Sequence, residues 1–294
     1  MINKNSKVLS ISHNDLDGVG CQILLANYFH NISYYNWGYY EIDEKFQNID
    51  FNAFDYVIVS DLSPTNHELL KHPKIIYIDH HESAIELSCP KENRFIDITR
   101  CGTALVAEWL DKTFDFDYTP FHSFVQLVND YDMWILKYPF SWDLNCMFQK
   151  YKEKLFFERF LDGNMVFNDE ENDYVNAQKE VLNNLYNNLD IVELKDINGC
   201  FFFAEDFLND LCHRMMEEKG YKFSFCYNVK RSTISIRTVT NLNIGVLLRK
   251  LDVGGGHAKA AGTKQVVGND VMEMVEKISK GIRDEMVSKM SENG

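Results

Sequence analysis

The chain repeats one local pattern: a short apolar, β-branched run that gives out onto aspartate or histidine. Ile75-Ile76-Tyr77-Ile78 ends in Asp79-His80-His81, Val8-Leu9-Ser10-Ile11-Ser12 runs into His13-Asn14-Asp15-Leu16-Asp17-Gly18, and Tyr56-Val57-Ile58-Val59-Ser60 stops at Asp61. Runs of this kind, closed by polar residues, are expected of strands covered on both faces. Between them lie stretches with helical spacing, Val19 to Phe29, Thr65 to Lys71 and Thr103 to Leu110. Strands alternating with helices predict an α/β fold whose parallel strands end along one edge, where ligands of open sheets collect.

A fourth apolar element, Phe124-Val125-Gln126-Leu127-Val128, leads into Asn129-Asp130-Tyr131-Asp132, and its spacing fits a helix or a strand. Carboxylates and imidazoles from all four segments would converge on one cleft. Burying an unpaired carboxylate costs on the order of several kcal/mol, and cations relieve that cost. An oxygen-rich donor set with imidazole and without thiolate suits Mn²⁺ or Mg²⁺, and Zn²⁺ or Co²⁺ could enter it. Two cations neutralise so anionic a cleft better than one, and a two-metal centre is suited to phosphoester hydrolysis. The cysteines at 21, 89, 101, 146, 200, 212 and 226 lack C-x-x-C spacing and are read as reduced thiols.

His13-x-Asp15-x-Asp17-Gly18, Asp61, Asp79-His80-His81 and Asp130 resemble, in order, the four motifs of the DHH phosphoesterase family. Further on, Ser235-Ile236-Arg237-Thr238, Asn243, Gly254-Gly255-Gly256-His257 and Ala260-Ala261-Gly262 resemble its DHH-associated substrate-binding domain. The resemblance implies that His13, Asp15 and Asp61 hold one metal and that Asp17, Asp61, His80 and Asp130 hold the other, with Asp61 bridging. His81 would then hydrogen-bond behind the ligands or help protonate the leaving oxygen. Asp130 and Asp132 face opposite ways on a strand, and Asp130, nearer the apolar run, is favoured over Asp132.

In the C-terminal block, glycines 254, 255 and 256 lack Cβ atoms, so their backbone N–H groups could cradle an anion, with His257 as a further donor. Arg237, at the end of the alternating run Thr233-Ile234-Ser235-Ile236-Arg237, could grip phosphate bidentately. Asn243 is carried over as a substrate contact from the resemblance alone.

A length of 294 residues suits two domains. The reading places a metal-bearing catalytic domain at 1–150, a helical connector at 151–190 and a smaller α/β substrate-binding domain at 191–294, with chemistry in the cleft between domains. A net charge of -14 argues against a long duplex as substrate, since a duplex calls for a basic stripe. The expected partner is a short oligonucleotide or small nucleotide, and a homodimer is an assembly the reading admits. The polar start Met1-Ile2-Asn3-Lys4-Asn5 and the lack of a long apolar stretch predict a cytoplasmic protein that does not engage a membrane.

Aromatic residues are plentiful, notably Tyr34-Tyr35-Asn36-Trp37-Gly38-Tyr39-Tyr40 and Tyr131 with Trp134. Core packing is the expected role for most, with Trp134 kept as a candidate for stacking on a base. The resemblance is greatest to the family's short-oligonucleotide exonucleases, the nanoRNases. It implies a phosphodiesterase using two Mn²⁺, with Mg²⁺ or Co²⁺ as substitutes, that releases 5′-mononucleotides. Alternatives are a 3′-phosphoadenosine 5′-phosphate phosphatase, a cyclic mononucleotide or dinucleotide phosphodiesterase, and a nucleotide-binding sensor without turnover.

Overall fold

The computed structural model describes residues 2–39, 41–85, 90–256, 258–268 and 270–292. They form two compact units, Met1–Val175 and Asn176–Gly294. In chain order, the first unit contains β1 (Lys7–His13), α1 (Leu16–Tyr28), β2 (Asn31–Trp37), α2 (Ile42–Phe46), β3 (Tyr56–Ser60), β4 (Ile75–Asp79), β5 (Arg94–Ile96), α3 (Gly102–Phe114), α4 (His122–Asp132) and α5 (Pro139–Phe160). Helix α6 (Asp169–Asn187) carries the chain into the second unit.

The first sheet is wholly parallel, in the order β2-β1-β3-β4-β5. Its apolar runs divide with a period of two, as the pleat requires. Val8, Ile58, Ile76 and Ile78 enter one core with α1, α3, α4 and α5, while Leu9, Ile11, Val57, Val59, Ile75 and Tyr77 enter another with Ile42 and Phe46 of α2. Both faces are thus covered, which is why these strands read as continuous apolar runs. From β1 the chain turns through α1 to β2 on one side, then returns to place β3 on the other. The strand order reverses there, opening a crevice beyond the carboxyl ends of β1 and β3.

The sequence reading missed β2, taking its aromatic residues as candidate packing or stacking groups. This edge strand is largely exposed, so it lacks the apolar continuity of its neighbours. The helix expected from Thr65 to Lys71 is only a 3-10 segment, His67–Lys71. By contrast, the element near Phe124 is helical, with Phe124, Val125, Leu127 and Val128 buried along one side.

The second unit contains β6 (Val192–Leu194), β7 (Gly199–Ala204), α7 (Leu208–Lys219), β8 (Phe223–Asn228), β9 (Thr233–Thr238), α8 (Ile244–Lys250), β10 (Gly254–Gly256), β11 (Ala260–Thr263) and α9 (Asp270–Glu292). Its sheet runs β10-β11-β9-β8-β7-β6, with only β7 and β8 parallel. Phe201, Phe223, Phe225, Ile234 and Ile236 of the sheet pack with Leu247 and Leu248 of α8 and with Val275, Ile278 and Ile282 of α9.

Candidate functional site

The carboxyl ends of β1, β3 and β4 deliver His13, Asp61 and Asp79-His80-His81 to the crevice of the first sheet. Asp15 and Asp17 follow at the start of α1. Asp15 is the N-cap, accepting from Gly18 N at 3.0 Å through Oδ1, while its Oδ2 lies 2.6 Å from His13 Nδ1. Burial opposes ionisation of Asp15, but the His13 bond and charge outweigh it and hold the carboxyl below its usual range. Asp17 is buried and reaches the start of α3, where it accepts from Gly102 N at 2.6 Å and Thr103 N at 2.8 Å. Carboxylates at helix N-termini satisfy backbone donors that the helix leaves open.

His80 stands among three carboxylates. Its Nε2 is 3.1 Å from Asp61 Oδ1, 3.5 Å from Asp132 Oδ2 and 3.7 Å from Asp17 Oδ2. Asp61 takes a left-handed backbone conformation, φ 54°, as β3 ends. Aspartate tolerates this region better than most residues, but the conformation still carries strain. Burial, followed by the charges of Asp17, Asp15, Asp132 and Asp79, pushes the Asp61 carboxyl well above its ordinary range. Asp132 is pushed up in the same way by burial and by Asp17, Asp15 and Asp79. Asp61 Oδ2 and Asp132 Oδ2 are both sealed from solvent without a hydrogen bond. Three overlapping groups of ligand atoms result: His13, Asp15 and Asp61; Asp17, His80 and Asp132; and Asp61, Asp79, His80 and His81. Orphaned carboxylate oxygens on two aspartates beside an imidazole, in groups that hold no cysteine among the described residues, fit hard divalent cations.

Asp130, favoured from the sequence as the fourth-motif ligand, does not join these groups. Its Oδ1 accepts from Lys137 N at 3.0 Å, and its Oδ2 from Tyr138 N at 3.1 Å and Ser141 Oγ at 2.7 Å. It therefore ties down the loop and the first turn of α5. Asp132 is the residue beside His80. Residues two apart on a helix point about 200° apart, so one faces the scaffold and the other the crevice. The buried spacing along α4 was the available signal that this element is a helix.

Asp79 was given no role from sequence, and it organises the neighbouring histidines. Its Oδ1 accepts from His80 N at 2.7 Å, His81 N at 3.2 Å and His81 Nδ1 at 2.7 Å; its Oδ2 accepts from Ser63 Oγ at 2.6 Å and from Tyr77 OH. Although burial resists the charge, these donors hold the carboxyl down at about 2. Tyr77 and Asp79 are two apart on β4 and so share a face, a relationship the period-two pattern could have revealed. His81 completes the arrangement through Tyr39 OH, 2.9 Å from its Nε2.

In the second unit, the three glycines are not a loop but the edge strand β10, paired antiparallel with β11. A Cβ on Gly254 would meet Gly262 O at 2.1 Å, so close strand approach accounts for this glycine. Asn243 caps α8, its Oδ1 accepting from Val246 N at 2.9 Å. His257 lies outside the described residues. Arg237 on β9 is partly buried and bonds to Asn209 Oδ1 at 2.5 Å and Ile236 O at 3.0 Å. Among the described residues no carboxylate forms an ion pair with it.

A model of the DHH family, N-terminal domain, matches residues 7–128, the segment holding β1 through most of α4. Over that segment the chain matches the DHH family. The 3′,5′-cyclic-nucleotide phosphodiesterase of Helicobacter pylori (strain ATCC 700392 / 26695) is 27% identical to it over 327 aligned positions, covering 88% of this chain and 92% of the relative. Among solved structures, the pGpG-specific phosphodiesterase PggH from Vibrio cholerae matches with a TM-score of 0.59 at 14% identity, over 95% of this chain and 99% of that one. RecJ in complex with Mn²⁺ from Thermus thermophilus matches with a TM-score of 0.62 at 13% identity, over 95% of this chain and 52% of RecJ. The two structural likenesses show a shared α/β fold. No helix among the described residues is long and apolar enough to cross a membrane.

Proposed function

We propose that this protein is a metal-dependent phosphodiesterase of the DHH type that cleaves short oligonucleotides or dinucleotides to 5′-mononucleotides, using two Mn²⁺. The observation that carries the reading is that Asp61 and Asp132, both beside the His80 imidazole at a sheet switch point, each keep a buried Oδ2 without a hydrogen bond. His13, Asp15 and Asp61 would hold one cation; Asp17, Asp61, His80 and Asp132 would hold the other. Bound cations would supply Lewis-acid charge to ionise water and neutralise phosphate. Asp79 and Tyr39 engage both ring nitrogens of His81, whose Nδ1 is 3.9 Å from Asp61 Oδ1, so His81 would support the ligands from behind them. Arg237, which pairs with no carboxylate among the described residues, would hold a phosphate of the substrate.

The relative from Helicobacter pylori favours a second reading, hydrolysis of 3′,5′-cyclic nucleotides. A panel of diribonucleotides, longer RNAs, cyclic mono- and dinucleotides and 3′-phosphoadenosine 5′-phosphate, each with Mn²⁺ or Mg²⁺, separates these readings by product identity. Release of 5′-mononucleotides from dinucleotides is the expected result. Phosphate release from the bisphosphate alone would replace it with a phosphomonoesterase, and tight nucleotide binding without hydrolysis would indicate a sensor.

A further inference from the structure

Tyr39 lies just after β2, in a segment that the fold could use merely to connect β2 to α2. Its ring instead lies against His13, with ring centroids 4.6 Å apart and planes at 45°, and meets the His81 ring edge-on at 5.9 Å. Its hydroxyl is fixed 2.9 Å from His81 Nε2. His81 is fixed in turn by Asp79, itself held by Ser63 and Tyr77. An aromatic ring anchored at its hydroxyl and backed by an imidazole has few orientations left. Yet Tyr39 is 43% exposed. A large apolar ring kept rigid beside the ligand cluster and left open to solvent has the properties of a stacking surface. Its orientation is established before substrate arrives, which lowers the entropy cost of stacking.

We infer that Tyr39 is a specificity-determining residue whose ring stacks on a nucleobase next to the scissile phosphate. Trp134, the aromatic favoured from sequence, packs edge-on against Tyr131 at 5.5 Å, whereas Tyr39 touches both His13 and His81. Stacking is tolerant of base identity because every base has a π-face. Tyr39 would therefore select nucleotides over other small phosphodiesters without selecting among bases. The inference rests on the nucleotide phosphodiesterase reading above.

The test compares a diribonucleotide with the same substrate lacking one base, using wild type, Tyr39→Leu and Tyr39→Phe with Mn²⁺. Wild type should favour the base-bearing substrate. Tyr39→Leu should cut that preference, read as the ratio of the two KM values, about tenfold, in line with measured base–aromatic stacking, with any effect of the lost His81 bond falling on both substrates alike. Tyr39→Phe should keep the preference, because it keeps the ring. Binding is read separately with a 2-aminopurine dinucleotide and Ca²⁺ in place of Mn²⁺. Its fluorescence quenching should persist in Tyr39→Phe and fall in Tyr39→Leu, with thermal melts confirming that both variants fold. An unchanged base preference in Tyr39→Leu, or equal loss in both variants, would overturn the stacking role. If wild type neither binds nor cleaves any nucleotide, the phosphodiesterase reading itself fails.

Discussion

Asp61 Oδ1 lies 3.1 Å from His80 Nε2, while the other Asp61 oxygen is sealed from solvent without a hydrogen bond. Half of this carboxylate is thus satisfied by protein, and the other half would be satisfied by a cation. The same residue carries left-handed backbone strain. These costs are tolerable where the group serves binding or chemistry, and they predict a trade between stability and function.

Asp61→Asn should therefore leave the metal-free protein as stable as wild type or more stable by about 1 kcal/mol, since asparagine tolerates the same backbone region and carries no charge. Wild type should gain about 2.7 kcal/mol when Mn²⁺ is present at about 100 times its dissociation constant, and the variant should gain little. Denaturation with EDTA or with Mn²⁺ reads both effects. Near-normal Mn²⁺-dependent turnover in the variant would sink the bridging role.

Asp130 and Asp132 should separate cleanly. Replacing Asp130 with Asn removes acceptors for the loop and first turn of α5, costing about 1–3 kcal/mol, with Mn²⁺ affinity nearly unchanged in the folded fraction. Asp132→Asn should keep the fold and lower Mn²⁺ affinity by at least about tenfold, the lower range for residues supporting a metal. Calorimetric titration with Mn²⁺ beside urea denaturation tests the pair, and the reverse pattern would restore Asp130 as ligand.

The contrast between these aspartates shows what the sequence carried. Runs such as Val57-Ile58-Val59 identify β3 because both faces are buried, and three strand ends marked the crevice. Edge position hid β2, since Tyr34 and Tyr35 are exposed and break the apolar pattern. Which aspartate turns inward depends on whether its element rotates by 100° or 180° per residue, and favouring Asp130 rested on nearness along the chain. The glycine triplet is ambiguous for a related reason: lack of Cβ serves a phosphate cradle and close strand pairing equally well, and the pairing with β11 accounts for Gly254 by close approach alone.

A buried ion pair away from the cluster gives the first unit an acid-labile contact. Glu171 of α6 accepts from Arg159 Nε at 2.7 Å and Nη2 at 3.1 Å, from Asn168 N at 2.8 Å and from Tyr151 OH at 3.0 Å. Burial opposes its charge, but these donors keep the carboxyl below its ordinary range. A depressed folded value means the stabilisation is present above the unfolded glutamate range, near about 4.3, and is lost as pH falls through the folded value. Glu171→Gln should cost about 2–4 kcal/mol at neutral pH and flatten this acid dependence. Urea denaturation from pH 7 down to the acid limb checks it, and parallel curves for variant and wild type would refute the assignment.

Gly102 tests how tightly the cluster is built. It begins α3 and donates its N–H to Asp17 Oδ2 at 2.6 Å. Helix propensity favours alanine over glycine by about 1 kcal/mol in a helix interior, so a purely helical argument predicts no harm from Gly102→Ala. Packing predicts otherwise. A Cβ here would lie 2.9 Å from Asp17 Oδ2, 2.9 Å from Asp61 Cβ and 3.2 Å from Cys21 Sγ. Asp17 cannot recede without giving up the N–H groups of Gly102 and Thr103, and Asp61 Cβ can move only with its strained backbone. One methyl group should therefore displace both carboxylates and lower Mn²⁺ affinity by at least about tenfold, although residue 102 contributes no ligand atom. Mn²⁺ titration of Gly102→Ala at matched folded fraction measures this. Wild-type affinity would mean that the crevice yields more readily than its packing implies.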